Sequence, residues 1–218
     1  MTESDARPPE SDPLQHALRA GPPGRVGTAP DLTSAAADAG LLDVAYATLD
    51  GPVGHLLLAA TPAGLLRIAY SGPDADDAVL ADLAARVSPR VMAAPRRLDR
   101  ARRQLDEYFA GRRREFVLDL DLRLVAGFAR RVLAAAEAIP YGATRTYREV
   151  ATSAGSPRGF RAAGNALGAN PLPIVLPCHR VLPSTGGLGG YTGGQERKRV
   201  LLAIESGESA PGLGPVRA

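Results

Sequence analysis

The stretch Thr146-Tyr147-Arg148-Glu149-Val150-Ala151-Thr152-Ser153-Ala154-Gly155-Ser156-Pro157 decides how the second half of the chain is read. Thr146 with Glu149 three residues on is a capping box, in which each side chain satisfies the other's backbone N–H, and it opens a short helix through Thr152. Ala154-Gly155 supplies a turn. Ser156 and Pro157 then read as the N-cap and first-turn proline of a second helix running to about Leu167. Two short helices across a tight, glycine-containing turn make a helix-turn-helix pattern, which also occurs in proteins that never bind DNA. The second helix sets Gly159, Ala162, Ala163, Gly164, Ala166 and Gly168 around Arg161. Reading bases in a major groove calls for long polar side chains. So slim a helix suits close approach to a minor groove or tight packing inside the protein, and the residues alone leave both open.

Working outward, Val125–Ala138 is an Ala-rich helix that stops before Ile139-Pro140-Tyr141-Gly142. Further upstream, Val44–Thr48, His55–Ala60 and Leu65–Tyr70 read as three strands of an antiparallel meander, turned at Gly51–Gly54 and Thr61–Gly64. Asp76–Val87 and Arg96–Ala110 have helical spacing. The second carries Arg96, Arg97, Arg100, Arg102 and Arg103 on its polar face, a run that usually marks a solvated surface. Phe116–Leu122 alternates apolar and acidic residues and reads as one more strand or an extended linker. Residues 1–42, with Pro8-Pro9, Pro13 and Gly21-Pro22-Pro23-Gly24, cannot bury enough surface to offset the entropy of ordering and are expected to be a mobile tail, with a short helix at Asp12–Ala20 its only candidate element. The expected organisation is therefore a tail at 1–42, domains at 43–122 and 123–207, and a second tail at 208–218.

A length of 218 residues, 45% of them apolar and 22% charged, allows one large or two small folded domains. No apolar run approaches the roughly 18–20 residues of a membrane span. The acidic start Met1-Thr2-Glu3-Ser4-Asp5 lacks secretory features, so a cytoplasmic protein is expected. One Cys excludes an intrachain disulfide, and one Cys with three His cannot build a Cys-rich structural zinc site. The net charge of +3 is unevenly spread. Residues 1–43 carry −4 and residues 44–122 balance, whereas residues 123–205, with eleven basic and four acidic side chains, carry +7. Such an excess in one segment suits a chain that meets a polyanion with one face.

Asn170-Pro171-Leu172-Pro173-Ile174-Val175-Leu176-Pro177-Cys178-His179-Arg180-Val181 carries the chemistry. Its prolines forbid a helix and predict a stiff extended segment. The only Cys is followed by an imidazole and a guanidinium, neighbours that favour the nucleophilic thiolate. Because adjacent residues of an extended chain point to opposite sides, His179 would act on the sulfur through a water. Ser184–Gly194 is a Gly-rich loop around Tyr191 that lacks the Gly-Lys-Ser/Thr ending of a Walker A loop. It reads as a cover bringing Tyr191 over a planar ligand, or as a plain linker. Gln195–Glu205 returns to a helix, with Glu205 placed to reach back toward a base.

Ile139-Pro140-Tyr141-Gly142, Thr146-Tyr147, Arg161-Ala162-Ala163-Gly164, Asn170-Pro171, Pro177-Cys178-His179-Arg180-Val181 and Gly190-Tyr191-Thr192-Gly193-Gly194 together resemble the active-site domain of the O6-alkylguanine-DNA alkyltransferases, the methylated-DNA–protein-cysteine methyltransferases, over residues 125 to 207. Residues 44–122 more weakly resemble that family's ribonuclease-H-like domain. The resemblance implies an α+β fold, with a small ribonuclease-H-like N-terminal domain followed by a mostly helical, winged-helix-like helix-turn-helix domain. It implies that Cys178 accepts the alkyl group in one displacement and keeps it, with His179 as water-mediated base and Glu205 orienting the imidazole. Asn170 would hold the active-site segment, and Tyr147 would assist the departing guanine. Arg161 would enter the duplex from the minor groove and replace the flipped nucleotide, with Ala162 and Gly164 on the same DNA-facing helix. Tyr191, Thr192, Val181 and Lys198 would line the base pocket. The implied partner is double-stranded DNA carrying O6-alkylguanine, with O4-alkylthymine a further candidate. The implied state is a monomer, with cooperative assembly on DNA left open; the ligands of the zinc that some relatives hold in the N-terminal domain are missing here, so neither metal nor cofactor is expected.

Three positions depart from the pattern: Thr192 stands where many relatives have Ser, Leu133 where an aromatic is common, and Gly168 where some carry Arg. With one Cys, the phosphotriester repair of adaptive-response relatives is not expected. An alkyltransferase-like lesion binder would lack Cys178, a helix-turn-helix regulator would not need Pro-Cys-His-Arg, and a cysteine hydrolase would need an oxyanion site that is not evident.

Overall fold

Leu56-Leu57-Leu58-Ala59 is apolar at every position because both faces of its strand are covered. The computed structural model describes residues 40–72 and 75–208, so the expected tails up to residue 39, with the candidate helix Asp12–Ala20, and from residue 209 lie outside the described residues. Strands β1 (Val44–Gly51), β2 (Gly54–Thr61) and β3 (Gly64–Tyr70) form the expected antiparallel meander. A short fourth strand, β4 (Val91–Ala93), pairs parallel with β1 and completes a sheet of order β3-β2-β1-β4. Three residues without alternation gave no strand signal. The β4 pairing arises because helix α1 (Asp76–Arg86) returns the chain to the sheet edge.

Alternation along the strands divides the core. Val44, Leu57, Ala59 and Leu66 face α1 through Leu83. Ala47, Leu49, Leu56, Leu58 and Ile68 face Leu98 in the 3-10 turn Pro95–Leu98 and Ala101, Leu105 and Tyr108 of helix α2 (Asp99–Phe109). That second core continues without a break into the C-terminal half, through Val132, Val150, Ala163, Leu172 and Leu201.

Phe116–Leu122 is a linker, touching β3 by one parallel bridge between Leu65 and Leu120. The buried amide of Gln104 holds it like a short strand partner, donating to the Val117 carbonyl at 2.9 Å and accepting from the Val117 N–H at 2.8 Å. Leu65 N–H donates to the Asp119 carbonyl at 2.8 Å and Asp121 N–H to the Leu65 carbonyl at 2.9 Å.

The C-terminal half contains α3 (Gly127–Glu137), α4 (Tyr147–Ser153), α5 (Phe160–Gly168) and α6 (Gln195–Ser206), with a two-residue parallel pair of β5 (Arg145–Thr146) and β6 (Val181–Leu182). The capping box at α4 is present with both reciprocal bonds. Ser156, in contrast, is not the cap of the second helix. Its N–H still serves the Ala151 carbonyl of α4 at 2.8 Å, its carbonyl accepts from Gly159 N–H at 2.8 Å to close a separate turn over residues 156–159, and α5 starts at Phe160 behind Gly159. Among the contacts that tie the halves together are Ile68 N–H to the Pro171 carbonyl at 2.8 Å, Arg197 Nε to the Val53 carbonyl at 2.7 Å, and the Tyr70 and Tyr191 hydroxyls at 2.7 Å. No helix among the described residues is long and apolar enough to cross a membrane.

Gly64 closes the β2–β3 turn at φ +141°, and a Cβ there would fall inside contact distance of the Asp119 carbonyl. Gly64→Ala should therefore lower unfolding free energy in urea by about 2–3 kcal/mol, from strain plus displacement of the linker. Gly72→Ala, whose Cβ meets nothing within 4 Å, serves as the neutral control.

Candidate active site

Every residue from Asn170 to Val181 is buried, and the segment is not extended. Prolines exclude a helix but also permit successive turns, and here the Asn170 side chain closes them. Its Oδ1 accepts from Leu172 N–H at 3.0 Å, and its Nδ2 donates to the Leu176 carbonyl at 2.8 Å and to Cys178 Sγ at 3.2 Å. Leu176 N–H reaches back to the Leu172 carbonyl at 2.8 Å, with Ile174 left-handed at φ 75° between them. Cys178–Arg180 then form one turn of 3-10 helix that runs straight into β6.

Behind this turn lies Glu205, its side chain 1% exposed. Its carboxylate accepts from His179 Nε2 at 2.8 Å, Tyr108 Oη at 2.7 Å and Gly142 N–H at 3.0 Å. Arg180 adds Nε at 2.9 Å and Nη2 at 2.9 Å, while its Nη1 donates to the Ile139 carbonyl at 2.6 Å. Burial by itself would raise the Glu205 pKa, but the bonds from His179 and Arg180 outweigh it and hold the carboxyl at about 2. An ionised carboxylate only accepts, so the shared His179 proton sits on Nε2 and Nδ1 carries the lone pair. Nδ1 is buried and makes no hydrogen bond to the described residues. Burial pushes the His179 pKa down against the pull of Glu205, which leaves the imidazole neutral.

The sulfur corrects one expectation. Cys178 is 4% exposed, and burial pushes its thiol pKa up, against the Asn170 hydrogen bond and the nearby charge of Lys198. Arg180 cannot favour the thiolate as the sequence suggests, because its guanidinium is committed to Glu205 and Ile139. The resting pair is a neutral thiol and a neutral imidazole. Lys198 is fully buried and donates from Nζ to the Val181 carbonyl at 2.7 Å; burial lowers its pKa to about 8.

Cys178 opens onto a cavity of about 280 Å³ lined by Tyr147, Gly164, Gly190, Tyr191 and Thr192 among others. The Gly-rich loop is thus one wall of this cavity. Tyr147 Oη donates to the Gly190 carbonyl at 3.3 Å, and Thr192 Oγ1 ties the loop to the end of α5 through the Gly168 carbonyl at 2.6 Å. Gly193 has to be glycine, since a Cβ would strike the Tyr70 ring at 2.6 Å. The small residues of α5 divide by face. Ala163 and Ala166 pack inward, while Arg161, Ala162 and Gly168 stand exposed beside the cavity. Leu133 is buried in the core.

The structure therefore brings Cys178, Asn170, His179, Glu205, Tyr147, Tyr191, Thr192, Gly164, Val181 and Lys198 around one place, with Arg161 and Ala162 on the adjoining outer face. Sequence reading missed Tyr108, which reaches from α2 of the N-terminal half to Glu205 and lies 3.4 Å from His179 Nε2. Its only sequence signal is a place on the apolar face of that helix.

A single cysteine beside a carboxylate–imidazole pair, at the floor of a cavity next to a helix-turn-helix, defines a cysteine-nucleophile protein built on a nucleic-acid-binding scaffold. Known proteins make the class specific. The model of the 6-O-methylguanine DNA methyltransferase DNA binding domain matches residues 127–207, and that of its ribonuclease-like domain matches residues 44–122. A methylated-DNA–protein-cysteine methyltransferase of Mycolicibacterium paratuberculosis is 41% identical over 171 residues, 78% of this chain and 97% of the relative. The constitutive Bacillus subtilis enzyme is 38% identical over 163 residues, 73% of this chain and 94% of its own length. The crystal structure of Mycobacterium tuberculosis OGT in complex with DNA superposes with a TM-score of 0.65 at 37% identity, covering 76% of this chain and 95% of that one. The chain belongs to the methylated-DNA–protein-cysteine methyltransferase family, enzymes of DNA repair that move a methyl group from DNA to a cysteine of the protein.

Glu205→Gln removes the charge that Arg180 and His179 share and leaves a buried guanidinium without its counter-ion. It should lower stability at pH 7 by about 3–5 kcal/mol. Since the folded pKa is depressed, the wild-type advantage is full above the unfolded carboxyl value near 4.5 and is lost as pH falls toward 2. Urea titrations at several pH values should show the two proteins converging across that window.

Proposed function

We propose that the protein takes the alkyl group from O6-alkylguanine in duplex DNA onto Cys178 Sγ in a single displacement and is consumed by it. The observation that carries this reading is the Cys178 sulfur in the wall of the cavity, next in the chain to an imidazole whose Nε2 is committed to Glu205 and whose buried Nδ1 has no hydrogen-bond partner among the described residues. The thiol proton passes to Nδ1 through one water, and the resulting imidazolium is stabilised by the Glu205 carboxylate. Lys198 and the Asn170 amide offset the charge on sulfur. Sγ attacks the alkyl carbon, the C–O6 bond breaks, and the guanine departs with the bonding pair. Tyr147 Oη donates a hydrogen bond to it, and the proton held by His179 is returned by way of solvent. The product is a thioether, and among the described residues there is no second thiol to release it.

Cys178 lies too deep to reach a base inside a stack, so the nucleotide has to be extruded, which costs least for a poorly paired alkylated base. Beyond Phe160 and Arg161 the exposed side chains of α5, Ala162, Asn165 and Gly168, are short, which suits a minor groove, with Arg161 filling the gap. The excess of +7 over residues 123–205 supplies salt-sensitive affinity for phosphates. O4-alkylthymine also carries its alkyl group on an exocyclic oxygen of the base and is the second substrate to try.

Mixing the protein with a duplex holding one O6-methylguanine should add one methyl to the peptide bearing Cys178, with repair stopping at one equivalent. Cys178→Ala should bind the duplex and gain no mass. Binding without mass gain by the wild type would make the protein a lesion binder. Arg161→Ala should slow transfer from duplex at least about tenfold while leaving reaction with free O6-benzylguanine unchanged; equal loss on both substrates would refute the finger role.

A further inference from the structure

A second cavity, of about 300 Å³, adjoins the one above Cys178 and shares Tyr147 and Gly164 with it. Its other walls include Phe160 and Arg148 on one side and Ser184 and Thr185 on the other. Phe160 is 39% exposed, one of four large apolar side chains among the described residues that stand in solvent. Arg148 lies 5.9 Å from the centroid of its ring and Arg161 5.7 Å. Neither guanidinium makes an ion pair within the described residues. Two cations on one exposed ring repel each other and are relieved by an anion between or beside them.

An aromatic face with unpaired arginines at the mouth of a cavity matches a nucleotide, whose base stacks while its phosphate meets the positive charge. We infer that this cavity receives the nucleotide next to the extruded guanosine in the same strand, with Phe160 as its stacking surface and Arg148 at its phosphate. The shared wall of Tyr147 and Gly164 is the reason for that assignment, because an occupant of one cavity is the immediate neighbour of an occupant of the other. Phe160 is then a positioning residue of the reaction. It works beside Arg161, which fills the vacated stack, by holding the flanking nucleotide so that the extruded base stays over Cys178. The inference rests on the reading of Cys178 as acceptor of an extruded base.

Transfer rates for the wild type, Phe160→Ala and Phe160→Trp test it, each measured on an O6-methylguanine duplex, on the same duplex with an abasic site beside the lesion, and on free O6-benzylguanine. Phe160→Ala should slow the intact duplex about ten- to a hundredfold and leave free O6-benzylguanine unchanged, with Phe160→Trp restoring the duplex rate. An abasic neighbour on one side of the lesion, 5′ or 3′, should slow the wild type by a similar factor and Phe160→Ala no further. Equal loss on the free base would mean that Phe160 only supports the fold, and no loss on the duplex would mean that its ring touches nothing. Additive losses from the variant and the abasic site, or sensitivity only to an abasic site in the complementary strand, would overturn the assignment of the occupant. If the wild type takes no methyl group from the intact duplex, the acceptor reading of Cys178 is what fails.

Discussion

A carboxylate shut away from water must be given enough donors to replace its hydration, and the site is arranged around meeting that demand at Glu205. The donors are His179 and Arg180 from the 3-10 turn, Gly142 from the bend after α3, and Tyr108 from α2 of the other half. One charge at the end of α6 thereby fixes the relative position of three segments far apart in the chain. Such a network is not needed for stability, since well-packed apolar residues commonly do as well. What it supplies is a defined tautomer: with Nε2 held by an ionised partner, only Nδ1 can take a proton.

The same burial that makes Glu205 demanding keeps Cys178 quiet. Desolvation raises the thiol and lowers the imidazole, so the two do not exchange a proton at rest. On the proposed reading, Glu205 and Lys198 are already placed to stabilise the imidazolium and the thiolate that form when the proton moves.

The N-terminal half contributes through two tyrosines and a rigid sheet. Tyr108 completes the Glu205 shell, and Tyr70 meets Tyr191 edge-on, with ring centroids 5.9 Å apart, to brace the loop that walls the cavity. Its own charge balances, whereas the C-terminal half holds the positive excess. The division fits a half that supports the site and a half that faces the polyanion.

Local rules made much of this legible. The capping box at Thr146, the meander strands and the helix-stopping Ile139-Pro140 depend on neighbours within a few residues, and each appears where the sequence places it. Ser156-Pro157 misled because the chain first closes a separate turn there, the Gly159 N–H on the Ser156 carbonyl, and the helix begins only at Phe160. The prolines of residues 170–181 determined only that no helix forms; whether the chain runs straight or folds into turns was decided by the Asn170 side chain and by burial on all sides. The sequence by itself determined which groups were available: one thiol, its adjacent imidazole and guanidinium, and a carboxylate at the end of the last helix. Only the tertiary structure decided which way they point, that Arg180 serves Glu205 instead of the sulfur and that Tyr108 joins them. Those choices follow from satisfying a buried charge, a requirement that exists only once the chain has closed over it.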